Sequence, residues 1–126
     1  MELNRDFEEI TSLFVDQYYT LFDDPEKREE LCNCYNSSSS LLSFQGEQIR
    51  GPKISEKLKN LPVQKINRII RSVDSQPTCD GGVLIYVHGS LQCEEEVPVN
   101  FSQIILLHNG EQGIFIAHDI FRTEVI

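Results

Sequence analysis

Apolar residues between positions 97 and 123 fall into two runs that predict two β-strands joined by a tight turn. The turn is expected within residues 108–113, because the pair Asn109-Gly110 is the strongest short hairpin signal. Apolar side chains fall on both faces of these strands: Phe101, Ile105 and Leu107 oppose Ile104 and Leu106, and Ile114, Ile116 and Ile120 oppose Phe115, Ala117 and Phe121. We therefore expect one face to be covered by helices and the other by a further surface, such as a second copy of the chain.

Three helices are predicted from helical spacing of apolar residues and from the positions of proline. The first covers residues 3–22, where apolar residues recur every three or four positions. The second runs from Pro25 to about Cys34, with Asp24 placed to cap it. The third opens at Gly51 and Pro52 and ends at residues 61–62.

The remaining segments are predicted to be strands connected by turns. A polar segment, residues 36–40, is expected to be a solvated loop. A short hairpin follows at 41–45 and 48–50, and longer strands at 65–75 and 83–92 precede the C-terminal hairpin. The length of 126 residues predicts a single domain over residues 1–126, and the order of the elements shows no repeats or linkers.

Charge and cysteine spacing exclude several classes of partner. With 20 acidic and 11 basic residues, the net charge is -9, which argues against nucleic acid or an anionic membrane. A basic protein surface is the natural complement, although acidity also serves solubility alone. The four cysteines show neither redox nor zinc spacing, so we expect reduced thiols in the cytosol or nucleus and no metal. The N-terminus is too acidic and polar for a secretory signal, and no apolar run approaches the ~20 residues of a membrane span.

Five short segments, in this order and spacing, resemble the nuclear transport factor 2 family. They are FVDQYYTLFDD at 14–24, FQGEQIRG at 44–51, LPVQKI at 61–66, DSQP at 74–77 and DIFR at 119–122. Each segment is weak evidence alone, but together they cover almost the whole chain. The resemblance implies a cone-shaped α+β fold, in which a curved antiparallel sheet wraps around the N-terminal helices and two copies pack sheet against sheet.

The same resemblance implies a carrier with no enzymatic activity and no cofactor. Members of the family carry the GDP form of the small GTPase Ran into the nucleus. They cross the nuclear pore by contacting phenylalanine-glycine repeats of nucleoporins. The implied locations are therefore the cytoplasm, the nucleus and the nuclear pore complex.

The resemblance also implies a cavity at the mouth of the cone, which receives an aromatic side chain of Ran. The matching positions here are Phe44, Leu61, Ile66, Val99 and Phe121. Considered without the resemblance, Phe44, Leu61, Ile66 and Phe121 would be ordinary core, and the two interpretations are compatible because a cavity wall is also core.

Acidic residues surround that cavity in the family, and Glu94 and Glu96 match two of them. The alternative for residues 94–96 is a solvated charged turn that discourages strand aggregation. Gln45 stands where the family has an acidic residue, so one ion pair with Ran is expected to be missing. Phe44 and Phe7 replace tryptophans of the family, and Phe7 is the implied contact with nucleoporin repeats.

Two other functions are compatible with the same fold. Ketosteroid isomerases and dehydratases use a carboxylate base and a tyrosine, for which Tyr18, Tyr19, His118 and Asp119 are the candidates. Neighbouring His118 and Asp119 should point to opposite faces of a strand, and residues 43–45 occupy the position of the isomerase base without supplying one. The second alternative is a subunit that pairs with a larger paralogue, as in the messenger-RNA export receptor.

Overall fold

A computed structural model describes residues 3–125 and contains the three predicted helical regions. Helix α1 begins four residues later than predicted, and single-turn 3₁₀ helices at Pro25–Lys27 and Cys32–Cys34 divide the second predicted helix. The α-helices are α1 at Phe7–Asp23, α2 at Arg28–Leu31 and α3 at Pro52–Lys59. Within residues 3–125, no helix is both long enough and apolar enough to cross a bilayer.

Six strands form one sheet in the order β2-β1-β6-β5-β4-β3. Their bounds are β1 Leu41–Phe44, β2 Glu47–Arg50, β3 Ile66–Pro77, β4 Val83–Cys93, β5 Val99–Gly110 and β6 Gly113–Val125. The α+β prediction is confirmed, but the sheet is mixed, because β1 runs parallel to β6. Local hairpin signals specify neighbours in the sequence, and they carry no information on a pairing between strands so far apart.

The tight turn between β5 and β6 lies where it was predicted, but it does not use the Asn-Gly pair. Asn109 pairs with Ile114 and Gly110 with Gly113, so Glu111 and residue 112 form the turn. The positive φ of 112° falls on Gly113. A glycine after the turn therefore supplies the conformational freedom that the sequence pattern assigned to Asn109-Gly110.

One extra residue in β6, Ala117, changes which side chains face the core. It lies between two residues that pair with consecutive positions of β5, so no residue opposes it. Such a bulge shifts the alternation by one residue. Ile116 is buried before the bulge and Asp119 and Phe121 are buried after it, whereas Ile120 is exposed. The prediction that Ile116 and Ile120 share a face is therefore wrong.

A second bulge lies in β3, where Arg71 has no partner in β4. Gly89 of β4 faces it, and a Cβ atom there would collide with the carbonyl oxygen of Ile69. Bulges increase the local twist and bend of a sheet. The two bulges and Gly89 therefore allow the long strands to curve around α1.

The core lies between α1 and the concave face of the sheet. Tyr19 of α1 packs against Phe101 with 5.9 Å between ring centroids, and Tyr18 and Phe22 belong to the same buried cluster as residues of β4, β5 and β6. The segment 36–40 contributes as well, because the Ser40 hydroxyl is buried and donates a 2.5 Å hydrogen bond to the carbonyl oxygen of Ile116. The prediction of a solvated loop is therefore wrong at Ser40.

The convex side of the sheet, here called the open sheet face, is apolar and uncovered in a single chain. Tyr86 lies opposite Ile104, which lies opposite Ile120, so the three side chains form a row across β4, β5 and β6. Each of the three is exposed by at least 40%. Leu84 and Ile69 extend the same face. The prediction that the central strands are apolar on both faces is confirmed.

Candidate functional site

The predicted cavity residues lie at one end of the sheet, here called the mouth. The mouth is formed by the end of β1, the starts of β3 and β5, the chain before β3 and the last part of β6. Ile66 and Phe121 are buried there, whereas Phe44, Leu61 and Val99 are partly exposed and pack against the core. In the order of these elements, the five residues are Phe44, Ile66, Val99, Leu61 and Phe121.

A chain of aromatic rings leads from the mouth into the core. Phe44 stacks on Phe121 with 5.1 Å between ring centroids, and Phe121 lies 6.3 Å from Phe101. The Lys57 ammonium lies 5.2 Å from the Phe44 ring and caps the outer end of the chain. An aromatic side chain from a partner would therefore meet a ring surface that is already ordered.

Three glutamates form a turn beside the mouth, here called the acidic turn (residues 94–96). Glu94 has a φ of 52°, and the Glu96 amide donates a 3.0 Å hydrogen bond to the Cys93 carbonyl oxygen. Burial, and then the charge of Glu96, raise the pKa of the Cys93 thiol. Cys93 lies opposite Ile66, which places the turn at the mouth. The three side chains are exposed and form no ion pair with any residue between 3 and 125.

Gln45 is held by the end of β6. Its Nε2 donates a 2.6 Å hydrogen bond to the Thr123 hydroxyl, and its Oε1 accepts a 3.0 Å hydrogen bond from the Thr123 amide. Positive φ angles at Gln45 and Gly46 match the turn type that suits a two-residue hairpin. The amide at the position of the expected acidic residue is therefore already engaged within the chain.

A buried ion pair at the mouth was missed by sequence reasoning. Arg68 Nη2 lies 2.7 Å from Asp23 Oδ1, and its side chain is 3% exposed. The guanidinium carbon lies 4.3 Å from the Tyr19 ring and 4.6 Å from the Phe101 ring. Burial raises the pKa of Asp23, and the Arg68 hydrogen bonds oppose that shift. Arg68 lies two residues after Ile66, so the two side chains point to the same face of β3. Because Ile66 was predicted to face inward, this spacing was the signal in the sequence that Arg68 also faces inward.

Phe7 lies at the other end of α1 from this ion pair. It is the first residue of the helix and is partly buried against the core. Asn4, just before the helix, donates a 3.3 Å hydrogen bond to the carbonyl oxygen of Gly81, at the end of the sheet remote from the mouth. At 1.5 Å per residue, Phe7 and Asp23 are about 24 Å apart. The two predicted binding positions are therefore well separated.

Asp119 is the centre of a buried hydrogen-bond network. Its Oδ2 accepts hydrogen bonds from the hydroxyls of Tyr35 at 2.6 Å and Tyr18 at 3.2 Å. Its Oδ1 accepts a 2.8 Å bond from Gln103 Nε2, and the Tyr19 hydroxyl donates a 2.7 Å bond to Gln103 Oε1. Burial raises the pKa of Asp119, and these hydrogen bonds oppose the shift.

Three of the four candidate residues for catalysis meet in this network, together with two that were missed, Tyr35 and Gln103. His118 is the exception, because it is exposed on the other face of β6, as the alternation predicted. Asp119, Tyr18 and Gln103 are each at most 2% exposed. Through Tyr18 and Tyr19, the network fixes α1 on the sheet. Among residues 3–125, no cluster of three or more metal-ligating side chains is present.

Comparison with known proteins connects this geometry to one family. The family model described as "Nuclear transport factor 2 (NTF2) domain" matches residues 10–123. The chain is 35% identical to the probable nuclear transport factor 2 of Caenorhabditis elegans, over 99% of this chain and 98% of the relative. It is 37% identical to nuclear transport factor 2 of Saccharomyces cerevisiae, over 95% and 96% of the two chains.

Solved structures agree with the sequence comparison. The chain superposes on nuclear transport factor 2 of Cryptosporidium parvum with a TM-score of 0.90 and 31% identity, covering 98% of this chain and 99% of the other. Yeast Bre5 shares the fold at a TM-score of 0.74 and 20% identity, over 94% of this chain and 97% of Bre5.

The raised pKa of Asp119 predicts a pH dependence of stability that Asp119→Asn removes. An aspartate in the unfolded chain has a pKa of about 3.9. Because the pKa of Asp119 is higher in the folded state, the folded state holds more protons than the unfolded state at pH values above about 4. The free energy of unfolding therefore falls as pH rises, until the pKa of the folded state is passed. The difference in unfolding free energy, wild type minus variant, should therefore decrease between pH 4 and 7 in urea titrations. Asp74→Asn, which removes an exposed carboxylate, is the control, and parallel curves for wild type and Asp119→Asn would contradict the assignment.

Proposed function

The chain belongs to the nuclear transport factor 2 (NTF2) domain family, and we propose that it is a homodimeric carrier that imports the GDP form of Ran into the nucleus. Ran binds at the mouth, and phenylalanine-glycine repeats of nucleoporins bind at Phe7. The carrier moves between cytoplasm and nucleus through the nuclear pore complex. The observation that carries this proposal is the ordered aromatic stack at the mouth beside three carboxylates that have no partner within residues 3–125.

The mouth combines an apolar anchor point with charge. An aromatic side chain that packs against Phe44 and becomes buried contributes about 1.5 to 3 kcal/mol of binding free energy. Glu94 and Glu96 pair with basic groups around that side chain, in agreement with the net charge of -9. Gln45 is bonded to Thr123 and supplies no charge, so one charged contact, worth about 1 to 3 kcal/mol, is absent from this interface.

The open sheet face supports the homodimer. A row of side chains exposed by 40% or more is apolar surface that a second copy buries in an isologous interface. In the alternative, a larger paralogue covers the same face and the chain is the small subunit of an export receptor. The mass of the purified protein separates these cases, because a homodimer has about twice the 14.5 kDa of one chain.

A binding role is also supported by the enclosure of Asp119, the only carboxylate among the candidate catalytic residues. Asp119 is enclosed by Tyr18, Tyr35 and Gln103, which use its two oxygens as acceptors. A general base must reach the proton that it abstracts. We therefore infer a carrier and not an isomerase or dehydratase.

Charge reversal in the acidic turn should weaken the complex with Ran-GDP. Glu94→Lys combined with Glu96→Lys replaces two attractive pairs with repulsion, so we expect a loss of roughly ten- to a hundredfold in calorimetric affinity and a weaker salt dependence. Titration of wild type with Ran-GDP and Ran-GTP tests the function itself, and binding to neither form would reject it. Glu111→Lys, at the opposite end of the sheet, is the matched control. An unchanged affinity in the double variant would remove the acidic turn from the interface.

Phe7→Ala should reduce retention on a resin that carries phenylalanine-glycine repeats, because it removes apolar contact surface. Affinity for Ran-GDP should stay the same, since Phe7 lies at the far end of α1 from the mouth. Leu13→Ala removes an exposed apolar side chain of the same helix and serves as control. Wild-type retention of Phe7→Ala would show that the repeats bind elsewhere, and loss of both activities would indicate a folding defect.

Ile104→Glu should convert the homodimer into a monomer. It places a carboxylate at the centre of the open sheet face, where burial of an unpaired charge costs several kcal/mol. Light scattering after size-exclusion chromatography measures the change in mass. Ile114→Glu is the control, because Ile114 is similarly exposed but lies outside the row of Tyr86, Ile104 and Ile120. A wild-type protein that is monomeric at micromolar concentration would refute the homodimer.

A further inference from the structure

The edge strand β2 and helix α3 border a groove that lies beside the mouth and shares Leu61 with it. Its volume is about 690 Å³. All four residues of β2, from Glu47 to Arg50, line it, and Lys53 and Lys57 face it from the helix. Because β2 pairs only with β1, its other edge is free. The groove therefore combines an unpaired strand edge with a wall of charged side chains.

The hydrogen-bond pattern of the β1–β2 hairpin shows which backbone groups face the groove. The Gly51 amide donates a 3.2 Å hydrogen bond to the Ser40 carbonyl oxygen. Hydrogen-bonded and non-bonded pairs alternate along antiparallel strands, and the register continues from this pair through the hairpin. The N–H and C=O groups of Gln48 and Arg50 therefore point away from β1. They are the groups that an added strand would use.

The charge around this edge is opposite to that of the whole chain. Of the charged side chains that line the groove, Arg50, Lys53 and Lys57 are basic and Glu47 and Glu56 are acidic, a net charge of +1, although the net charge of the protein is -9. Lys57 is paired with Glu47 at 3.1 Å. Arg50 and Lys53 are exposed, and neither forms an ion pair with any residue from 3 to 125. Two cations therefore remain available at the groove.

We propose that an extended acidic peptide binds this groove by adding a strand to β2. The peptide backbone pairs with the outward groups of Gln48 and Arg50, as in other complexes formed at a sheet edge. Carboxylates on alternate residues of the peptide reach Arg50 and Lys53, because alternate side chains of a strand share a face. Of the residues that line the groove, only Leu61 is also assigned to the mouth, and Arg50 and Lys53 take no part in the proposed binding of Ran or nucleoporins.

The first test measures charge complementarity with a capped octapeptide of alternating glutamate and valine. We expect Lys53→Glu to weaken binding by about tenfold or more in fluorescence anisotropy, with a marked salt dependence. Lys59→Glu is the matched control, because Lys59 lies on the same helix but does not line the groove. Equal losses in both variants, equal binding of a lysine-valine octapeptide, or no binding by the wild type would each overturn the proposal.

The second test removes one backbone donor from the edge. Gln48→Pro eliminates the outward N–H group but leaves the hydrogen bonds between β1 and β2 in place, and Gln48→Ala keeps that group and loses only the side chain. We expect the proline variant to lose binding by about tenfold or more and the alanine variant to bind like wild type. Wild-type binding by Gln48→Pro would overturn strand addition. If Gln48→Pro has a lower mass than wild type in the absence of peptide, a second copy of the chain occupies the edge of β2. This result would also overturn the proposal. Should the proline variant fail to fold, the comparison of Lys53→Glu with Lys59→Glu decides the matter.

Discussion

The hydrogen bonds that hold α1 to the concave sheet determine where the two proposed binding surfaces lie. Tyr18 and Tyr19 bring two hydroxyls to Asp119 and Gln103, in a region without water-facing surface. A buried polar group that loses its partner costs about 1 to 3 kcal/mol, so the helix has one acceptable position along the strands. That position places Asp23 at the mouth and Phe7 about 24 Å away, since the helix rises 1.5 Å per residue. The two positions that we propose for binding are therefore far apart.

The network depends in turn on a single inserted residue. Without Ala117, the alternation of β6 would direct Asp119 to the open sheet face and Ile120 into the core. The same shift keeps Ile120 in the apolar row with Tyr86 and Ile104. One bulge thus determines both the interior of the fold and the surface that we assign to the homodimer.

Helical periodicity, proline and glycine positions and strand alternation were enough to predict the elements, and the family resemblance supplied the α+β class. Pairings between distant segments were not available from such local signals. The parallel contact of β1 with β6 belongs to this group, as do the ion pair of Asp23 with Arg68 and the Tyr35 hydroxyl on Asp119. The bulge at Ala117 was also missed, because no residue type marks it. The mouth residues came from the family resemblance, and their roles in binding stay predictions.

Strand β6 joins parts of the molecule that are far apart in the chain. It lies between β1 and β5 in the sheet. In a growing polypeptide that ends at β5, one edge of β1 and one edge of β5 therefore have backbone groups without a partner strand. Such edges are templates for pairing with other chains, and long-range contacts of this kind form slowly. During synthesis, closure of the sheet therefore has to wait for β6, the last of the six strands to be made.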